Sequence, residues 1–302
     1  VKVLLDNVDL SSSSGPNHFG KKLKTRLDTM GHICSTNIGD PDVQLSFIET
    51  RMMSPRAPLA IRMDGIYFDP DQGYKQKNAN ILRSYNMASG IVFQSQYCKE
   101  LAEHYFGKHD NPCVIYNGVD VSHIQSVAPL QDPLIDKYQN VWVTAARWRR
   151  WKRLKENIEY FLQFSGPNDC LVVAGDARQE NIQVKHDRIF LVGRLEVPVL
   201  FSLYRRATYL VHLARFDSCP NTVIDARAAG CKVICSSLAG TKEIAGPDAL
   251  VVYDEPWDYS PASTTELPPM DFNKISKNVF DTDIDIGTTA EKYESFFSTM
   301  IE

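Results

Sequence analysis

No run of the chain approaches the roughly 20 apolar residues that a membrane-spanning helix needs. There is no CxxC pair and no Cys/His cluster with zinc spacing. The seven cysteines, at 34, 98, 113, 170, 219, 231 and 235, are odd in number and mostly sit singly in apolar stretches. That usage reads as buried thiols of a reducing compartment, and it excludes a disulfide framework or a cysteine-built metal centre. The start, VKVLLDNVDL, lacks the basic n-region of a signal peptide, so a cytoplasmic protein is expected. The dinucleotide fingerprint G-x-G-x-x-G is missing, and no Ser-His-Asp device is legible. Charge of neither sign dominates: 37 acidic and 33 basic residues leave a formal net charge of -4. Its far field repels a polyanion, so no nucleic-acid partner is expected and any anion must be bound locally.

What is present is alternation. Apolar runs at 1–5, 43–48, 59–63, 91–93 and 113–115 read as strands, with helical patterns at about 17–30, 75–88 and 97–106 between them. After 116-YNGVD-120 the pattern weakens over 121–140, where a linker is expected. It restarts with strands at 141–144, 170–174, 189–192, 208–213, 233–235 and 250–252, and helices at about 153–164, 196–206 and 221–229. Residues 254–287, rich in Pro, Asp, Ser and Thr, lose the pattern and read as a surface wrap before a last helix at about 289–301. Strands separated by helices imply βαβ units and parallel sheets. A chain of 302 residues is long enough for two cores. The expectation is α/β with two Rossmann-like domains, 1–125 and 126–302, facing across a cleft, the last helix packing back toward the first domain. Ligands of such sheets sit at the carboxyl ends of the strands.

Basic charge is concentrated in 147-RWRRWKRLK-155, six cations and two tryptophans in nine residues. Arg147, directly after a strand, suits bidentate phosphate contact, and Lys152 supplies a compact charge on a flexible stem. Arg149, Arg150, Arg153 and Lys155 read as a solvated face, and Trp148 and Trp151 as packing. A second dense stretch is 216-FDSCPNTVIDARAAGCKVICSSLAGTKEIAG-246. Pro220 fits the first turn of a helix, whose opening N–H groups near Asn221 and Thr222 make a site for phosphate. Asp217 lies before that helix and Asp225 within it; alone, the first reads equally as a helix cap and the second as an exposed acid.

Together, Asp217 and Asp225 with seven residues between them, 226-ARAAG-230 and 233-VIC-235 resemble the donor-binding signature of retaining glycosyltransferases of the GT-B fold, family 4. That signature has two glutamates, so both acids here are a methylene short, and Ser-Cys-Pro-Asn stands where Gly-Phe-Gly is common. The stretches 115-IYNGVD-120, 171-LVVAGD-176, 190–214 and 239-AGTKEI-244 resemble further family motifs in the same order, and 61-IRMDGIYFD-69 resembles an acceptor-side motif of a subset. The resemblance implies a hexose moved from a nucleoside-diphosphate sugar to a hydroxyl acceptor, glycan or lipid-linked glycan, with retention and without metal or other cofactor. A peripheral membrane contact is compatible with it. It assigns Arg147 and Lys152 with Asn221 and Thr222 to the diphosphate, Asp225 to the ribose, Gly193, Arg194 and Leu195 to the base, and Asp217 to sugar hydroxyls. Asp64 becomes an acid near the acceptor, against a plain turn-capping role. The loop 11-SSSSGPNHFGKK-22 stands where the family has a glycine-rich loop over the donor phosphates, placing Gly15, Pro16 and Asn17 there. Gly15 would adopt a conformation closed to other residues, and Asn17 would cap the helix. The competing reading is a non-catalytic sugar-nucleotide or glycan-binding protein on the same fold.

Overall fold

The computed structural model describes residues 1–12, 14–177 and 184–301. Ser13 of the expected glycine-loop counterpart and the terminal Glu302 lie outside them. Packing divides the chain into two compact units: Val1–Val119 with Asp258–Ser263 and Asp283–Glu302, and Asp120–Trp257 with Thr264–Thr282. The division therefore falls at 119/120 rather than 125/126, and the tail is shared between the units instead of belonging wholly to the second.

The first unit runs β1 (Lys2–Asp6), α1 (Gly15–Thr29), β2 (Ile33–Ser35), β3 (Val43–Phe47), β4 (Leu59–Met63), α2 (Tyr74–Met87), β5 (Gly90–Phe93), α3 (Gln96–Phe106) and β6 (Pro112–Val114). Its sheet has the order β2-β1-β3-β4-β5-β6, every pair parallel. All residues of β3 and β4 are buried, as expected of parallel strands covered on both faces. Phe19, Leu23 and Leu27 form the buried stripe of α1, one position per helical turn. The C-terminal helix, Ile286–Ile301, lays Ile286, Ala290, Tyr293 and Phe297 into the same core, with the Tyr293 ring 6.2 Å from that of Phe19. Its start is tied back by Val119 N–H to Ile284 O and Ile286 N–H to Val119 O, both 2.9 Å. This close approach explains the glycine in 117-NGVD-120: a Cβ on Gly118 would stand 2.5 Å from Thr289 Oγ1 and 2.9 Å from Ile286 Cα.

The second unit runs α4 (Val121–Ser126), α5 (Pro133–Asp136), β7 (Asn140–Ala145), α6 (Leu154–Phe164), β8 (Asp169–Ala174), β9 (Ile189–Gly193), α7 (Val197–Arg206), β10 (Tyr209–His212), α8 (Asn221–Ala228), β11 (Lys232–Ser236), α9 (Thr241–Ile244), β12 (Leu250–Val252) and β13 (Ile275–Lys277). The sheet order is β9-β8-β7-β10-β11-β12-β13. Its first six strands are parallel in the three-two-one-four-five-six order of dinucleotide-binding folds, and β13 closes the edge antiparallel to β12. The chain reverses direction across the sheet between β7 and β10, so the crevice for a ligand opens beyond their carboxyl ends.

Three expectations change. The stretch 121–140 is not a linker but two short helices, whose N-cap residues Asp120 and Asp132 accept from His123 N–H at 2.8 Å and Leu134 N–H at 2.9 Å. Two three-residue edge strands, β2 and β13, escape an apolar-run criterion because most of their residues are not buried. The last helix begins at Ile286, ahead of its first apolar turn.

Candidate functional site

The loops after β7 and β10 meet at the reversal point of the second sheet. After β7 the chain passes exposed Arg147 and buried Trp148, makes a 3-10 turn over Arg150–Lys152, and sets Arg153 in the left-handed region at φ 55° before α6. The loop after β10 is sewn to it: Arg215 N–H donates to Trp151 O at 2.9 Å and Leu213 N–H to Asn157 Oδ1 at 3.0 Å. Trp148 Nε1 donates to Ala174 O at 2.9 Å, fixing the turn to the end of β8. Gly175, at φ 108°, permits this closure, since a Cβ there would fall 1.9 Å from Ala146 O. Gly175 N–H in turn donates to Gly193 O at 2.7 Å, which brings the end of β9, with exposed Gly193 and Arg194 and half-buried Leu195, beside the same turn.

Lys152 and Asp217, 65 residues apart, meet here: Lys152 Nζ donates to Asp217 Oδ2. His212, the last residue of β10, lies 2.8 Å from the same oxygen through Nε2. Burial alone would raise the Asp217 carboxyl, but the Lys152 charge and the His212 hydrogen bond outweigh it and hold the group well below the usual carboxylate range. Burial pushes the His212 imidazole down, against the pull of Asp217, so the ring is neutral at pH 7. An ionised carboxylate only accepts, so Nε2 carries the proton. Four residues beyond Asp217, α8 begins at Asn221; Pro220 sits at the N-cap rather than in the first turn. Its carbonyl serves Val223 N–H at 3.0 Å and Ile224 N–H at 3.4 Å. Asn221 and Thr222 are half-buried at this start, whereas Asp225 is only 5% exposed, inside the unit. It lies near Tyr204, whose phenol is raised first by burial and then by the Asp225 charge. Asp225 is thus not an exposed helical acid.

The charge run is not a uniform solvated face. Arg153 is 0% exposed. With Arg215 it converges on the buried Asp254, whose Oδ1 accepts from Arg153 Nη2 at 3.2 Å and Arg215 Nη1 at 2.5 Å. Asp254 Oδ2 accepts from Ser236 Oγ at 3.2 Å. Arg150 forms a bidentate pair with Glu156 at 3.0 and 2.8 Å, and Lys155 is exposed beside Glu159. Among the described residues, no ion pair engages Arg147. The run therefore contains a structural arginine, two locally paired cations, Arg149 lying 5.7 Å from the centre of the Trp151 ring, and two cations, Arg147 and Lys152, at the end of β7 and the turn after it.

In the first unit, Asp64 follows β4 and is paired with Arg62. Arg62, 1% exposed, also donates to Gln94 Oε1 at 3.1 Å and Asn117 Oδ1 at 2.7 Å, and lies 4.4 Å from the centre of the Phe19 ring. Gly15 and Pro16 open α1 rather than forming a loop, and Gly15 is not among the residues with positive φ. Asn17 does not cap the helix. Ser14 occupies the N-cap, and Asn17 Oδ1 instead accepts Asp9 N–H at 3.0 Å, holding the loop after β1. The structure thus brings Lys152 to Asp217, four residues before α8 begins at Asn221, and ties the end of β9 at Gly193 to Gly175. Asp64 and Gly15–Asn17 belong to the other unit.

Sequence reasoning missed His212 and Asp254. A lone histidine ending the apolar stretch 208-TYLVHL-213, five residues before an acid, was the available signal for the first. No local signal marks the second, because its partners lie 101 and 39 residues away.

Residues 139–262 match the family described as Glycosyl transferases group 1, which covers most of the second unit, including all the residues gathered around Asp217. No curated protein sequence matches the chain. Solved structures similar to it include HepE of Anabaena in complex with UDP-glucose, 14% identical, covering 99% of this chain and 92% of that one with a TM-score of 0.58. Others are sucrose-phosphate synthase from Thermosynechococcus elongatus, 14% identical over 87% and 86% of the two chains with a TM-score of 0.63, and AviGT4, a glycosyltransferase involved in avilamycin A biosynthesis, 13% identical over 100% and 98% with a TM-score of 0.63. At these identities the likeness shows the fold, two Rossmann-like parallel-sheet units of the GT-B kind.

Proposed function

We propose that the chain is a retaining glycosyltransferase of family 4, moving a hexose from a nucleoside-diphosphate sugar to a hydroxyl of a glycan or lipid-linked glycan. The observation that carries this reading is the meeting of Lys152 and Asp217 at the reversal point of a dinucleotide-type sheet, four residues before a helix start. That the matched family is one of glycosyl transferases, and that HepE was solved with UDP-glucose, supports it.

The chemistry follows from charge. Breaking the bond between the anomeric carbon and the diphosphate leaves negative charge on the β-phosphate. Cations aimed at that oxygen stabilise the transition state more than the ground state. Lys152 and Arg147 take this role, with the N–H groups at Asn221 and Thr222 as the fixed dipole end. Each cation contributes on the order of 3 kcal/mol, comparable to one oxyanion donor. Asp217 receives sugar hydroxyls, Asp225 is assigned the ribose, and Gly193, Arg194 and Leu195 the base. The leaving phosphate takes the acceptor's proton on the face it departs from, which gives retention without a covalent nucleophile. Asp64, in the first unit, is assigned to the acceptor, and Gly15, Pro16 and Asn17, at the start of α1, to the donor phosphates. Charge neutralisation by side chains removes the need for a metal, so activity should survive chelation. Cysteines used singly, six of the seven buried, suit a cytoplasmic setting.

A panel of UDP-, GDP- and ADP-sugars with glycan and lipid-linked acceptors tests the proposal. Turnover with at least one donor is expected, with the anomeric configuration kept. Asp217→Ala should lose turnover while still binding the nucleoside diphosphate. Binding without turnover across the panel would favour the non-catalytic reading instead.

A further inference from the structure

His212 is buried to 97%, on a strand end, with its Nε2 2.8 Å from Asp217 Oδ2. Lys152 Nζ reaches the same oxygen. Both side-chain donors to Asp217 among the described residues therefore converge on Oδ2, and the Asp217 side chain keeps 14% of its surface open to solvent. A carboxylate free to rotate about its Cβ–Cγ bond would present either oxygen at varying angles. One held by two donors on a single oxygen cannot. The two donors are not equivalent: Lys152 hangs on a long flexible stem, whereas His212 is a rigid ring rooted in β10 between β7 and β11. Only the ring can hold the carboxylate still when the amine is drawn elsewhere.

We propose that His212 is a positioning residue, which pins Asp217 Oδ2 through its Nε2–H and so turns Oδ1 alone toward the hydroxyls of the donor sugar. The inference rests on the reading of Asp217 as the sugar-hydroxyl acceptor. When a diphosphate draws Lys152 away, His212 remains, among the described residues, as the donor on Oδ2. The carboxylate then keeps both its ionised state and its orientation through the reaction, and Oδ1 has lone pairs for one or two hydroxyls. A histidine that merely filled the core at this place would be replaceable by a phenyl ring of similar volume. A positioning histidine would be replaceable only by another rigidly rooted N–H donor.

The test compares His212→Phe, which keeps the ring and removes the donor, with His212→Gln, which returns an amide N–H near the Nε2 position. UDP-glucose, GDP-mannose and ADP-glucose serve as donors, the corresponding diphosphates as binding probes, and assays are run well below each variant's melting temperature. For the donor that the wild type turns over, His212→Phe should lower kcat at least about 30-fold, a substantial part of what loss of one directly acting donor costs. The Kd for the bare diphosphate should move less than about twofold, and His212→Gln should recover kcat to within about fivefold of wild type. Nitrogen-15 shifts of the wild-type imidazole at pH 7 should report the neutral Nε2–H tautomer. A kcat within twofold in His212→Phe, a loss that His212→Gln does not relieve, an equal loss of diphosphate affinity, or an Nδ1–H tautomer would each overturn the proposal. Failure of the wild type to bind any of the three diphosphates would instead overturn the donor-site reading. The tautomer would still decide whether His212 donates to Asp217.

Discussion

At the reversal point of the first sheet, where β1 and β3 lie side by side, the chain gathers acids, amides and hydroxyls. Asp6 Oδ2 accepts from Gln44 Nε2 at 3.0 Å, Ser46 Oγ at 2.7 Å and Thr50 Oγ1 at 2.5 Å. The cavity beside it, about 400 Å³, is lined by Leu5, Asp6, Asn7, Val8, Asp9, Asn17 and Thr36, none of them basic. At the reversal point of the second sheet Lys152 meets the Asp217 carboxylate, four residues before the start of α8. The two sheets offer the same kind of place, and the side chains decide the sign of the ligand. On the proposed reading the diphosphate belongs to the second, where a cation meets the carboxylate, and not to the acid-lined first.

Both units also bury an arginine, Arg62 in the first and Arg153 in the second, and the difference between them predicts the largest stability effect. Asp254 is the one carboxylate shared by Arg153 and Arg215. Asp254→Ala leaves two buried guanidinium groups unpaired and should cost about 3–5 kcal/mol, read as a lowered melting temperature of the transition that involves the second unit. A loss below 1 kcal/mol would mean that the pair is not buried in solution. In the first unit the corresponding weak point is a close approach. Gly118→Ala should cost about 1–3 kcal/mol through overpacking against the start of the C-terminal helix, with protease sensitivity appearing first near residue 285.

The carboxylate at the second reversal point sharpens the contrast in charge. Asp217→Asn removes the anion that holds Lys152 and faces the diphosphate, so affinity for bare UDP should rise about threefold or more while turnover falls about 100-fold or more. Calorimetry and steady-state rates on one preparation separate the two effects. The smallest expected effect is a pH dependence. The folded-state pKa of His212 lies below its unfolded value near 6.5, so the unfolded chain binds more protons as pH falls below that value. The stability contributed by the neutral ring is present above pH 6.5 and lost as pH falls through the depressed pKa. The wild type should therefore lose melting temperature relative to His212→Gln between pH 6.5 and 5, and parallel curves would contradict the assignment.

Much of this was legible in the sequence where the signal was local. Continuous apolar runs such as 59-LAIRM-63 become strands because parallel strands are buried on both faces, and the acid spacing 217 to 225 with Pro220 marked the helix start at the site. The illegible parts depend on distant partners. Arg153 reads as one more surface cation in 147-RWRRWKRLK-155 until Asp254 arrives from 101 residues away. Gly15 and Asn17 read as a flexible loop and a cap because the helix start could not be placed to within two residues. The polar, proline-bearing stretch 121–140 hid two helices whose capping aspartates, Asp120 and Asp132, were visible but too close to the helix ends to outweigh the missing apolar period.

On this reading Lys152, and not Lys155, holds the diphosphate. Titrating UDP into the wild type, Lys152→Met and Lys155→Met by calorimetry tests it most directly, with GDP or ADP in its place if the wild type prefers either. Lys152→Met should weaken binding about 100-fold or more, while Lys155→Met, three residues on and exposed, should match the wild type. Equal losses in both variants, or none in Lys152→Met, would mean that Lys152 does not hold the diphosphate.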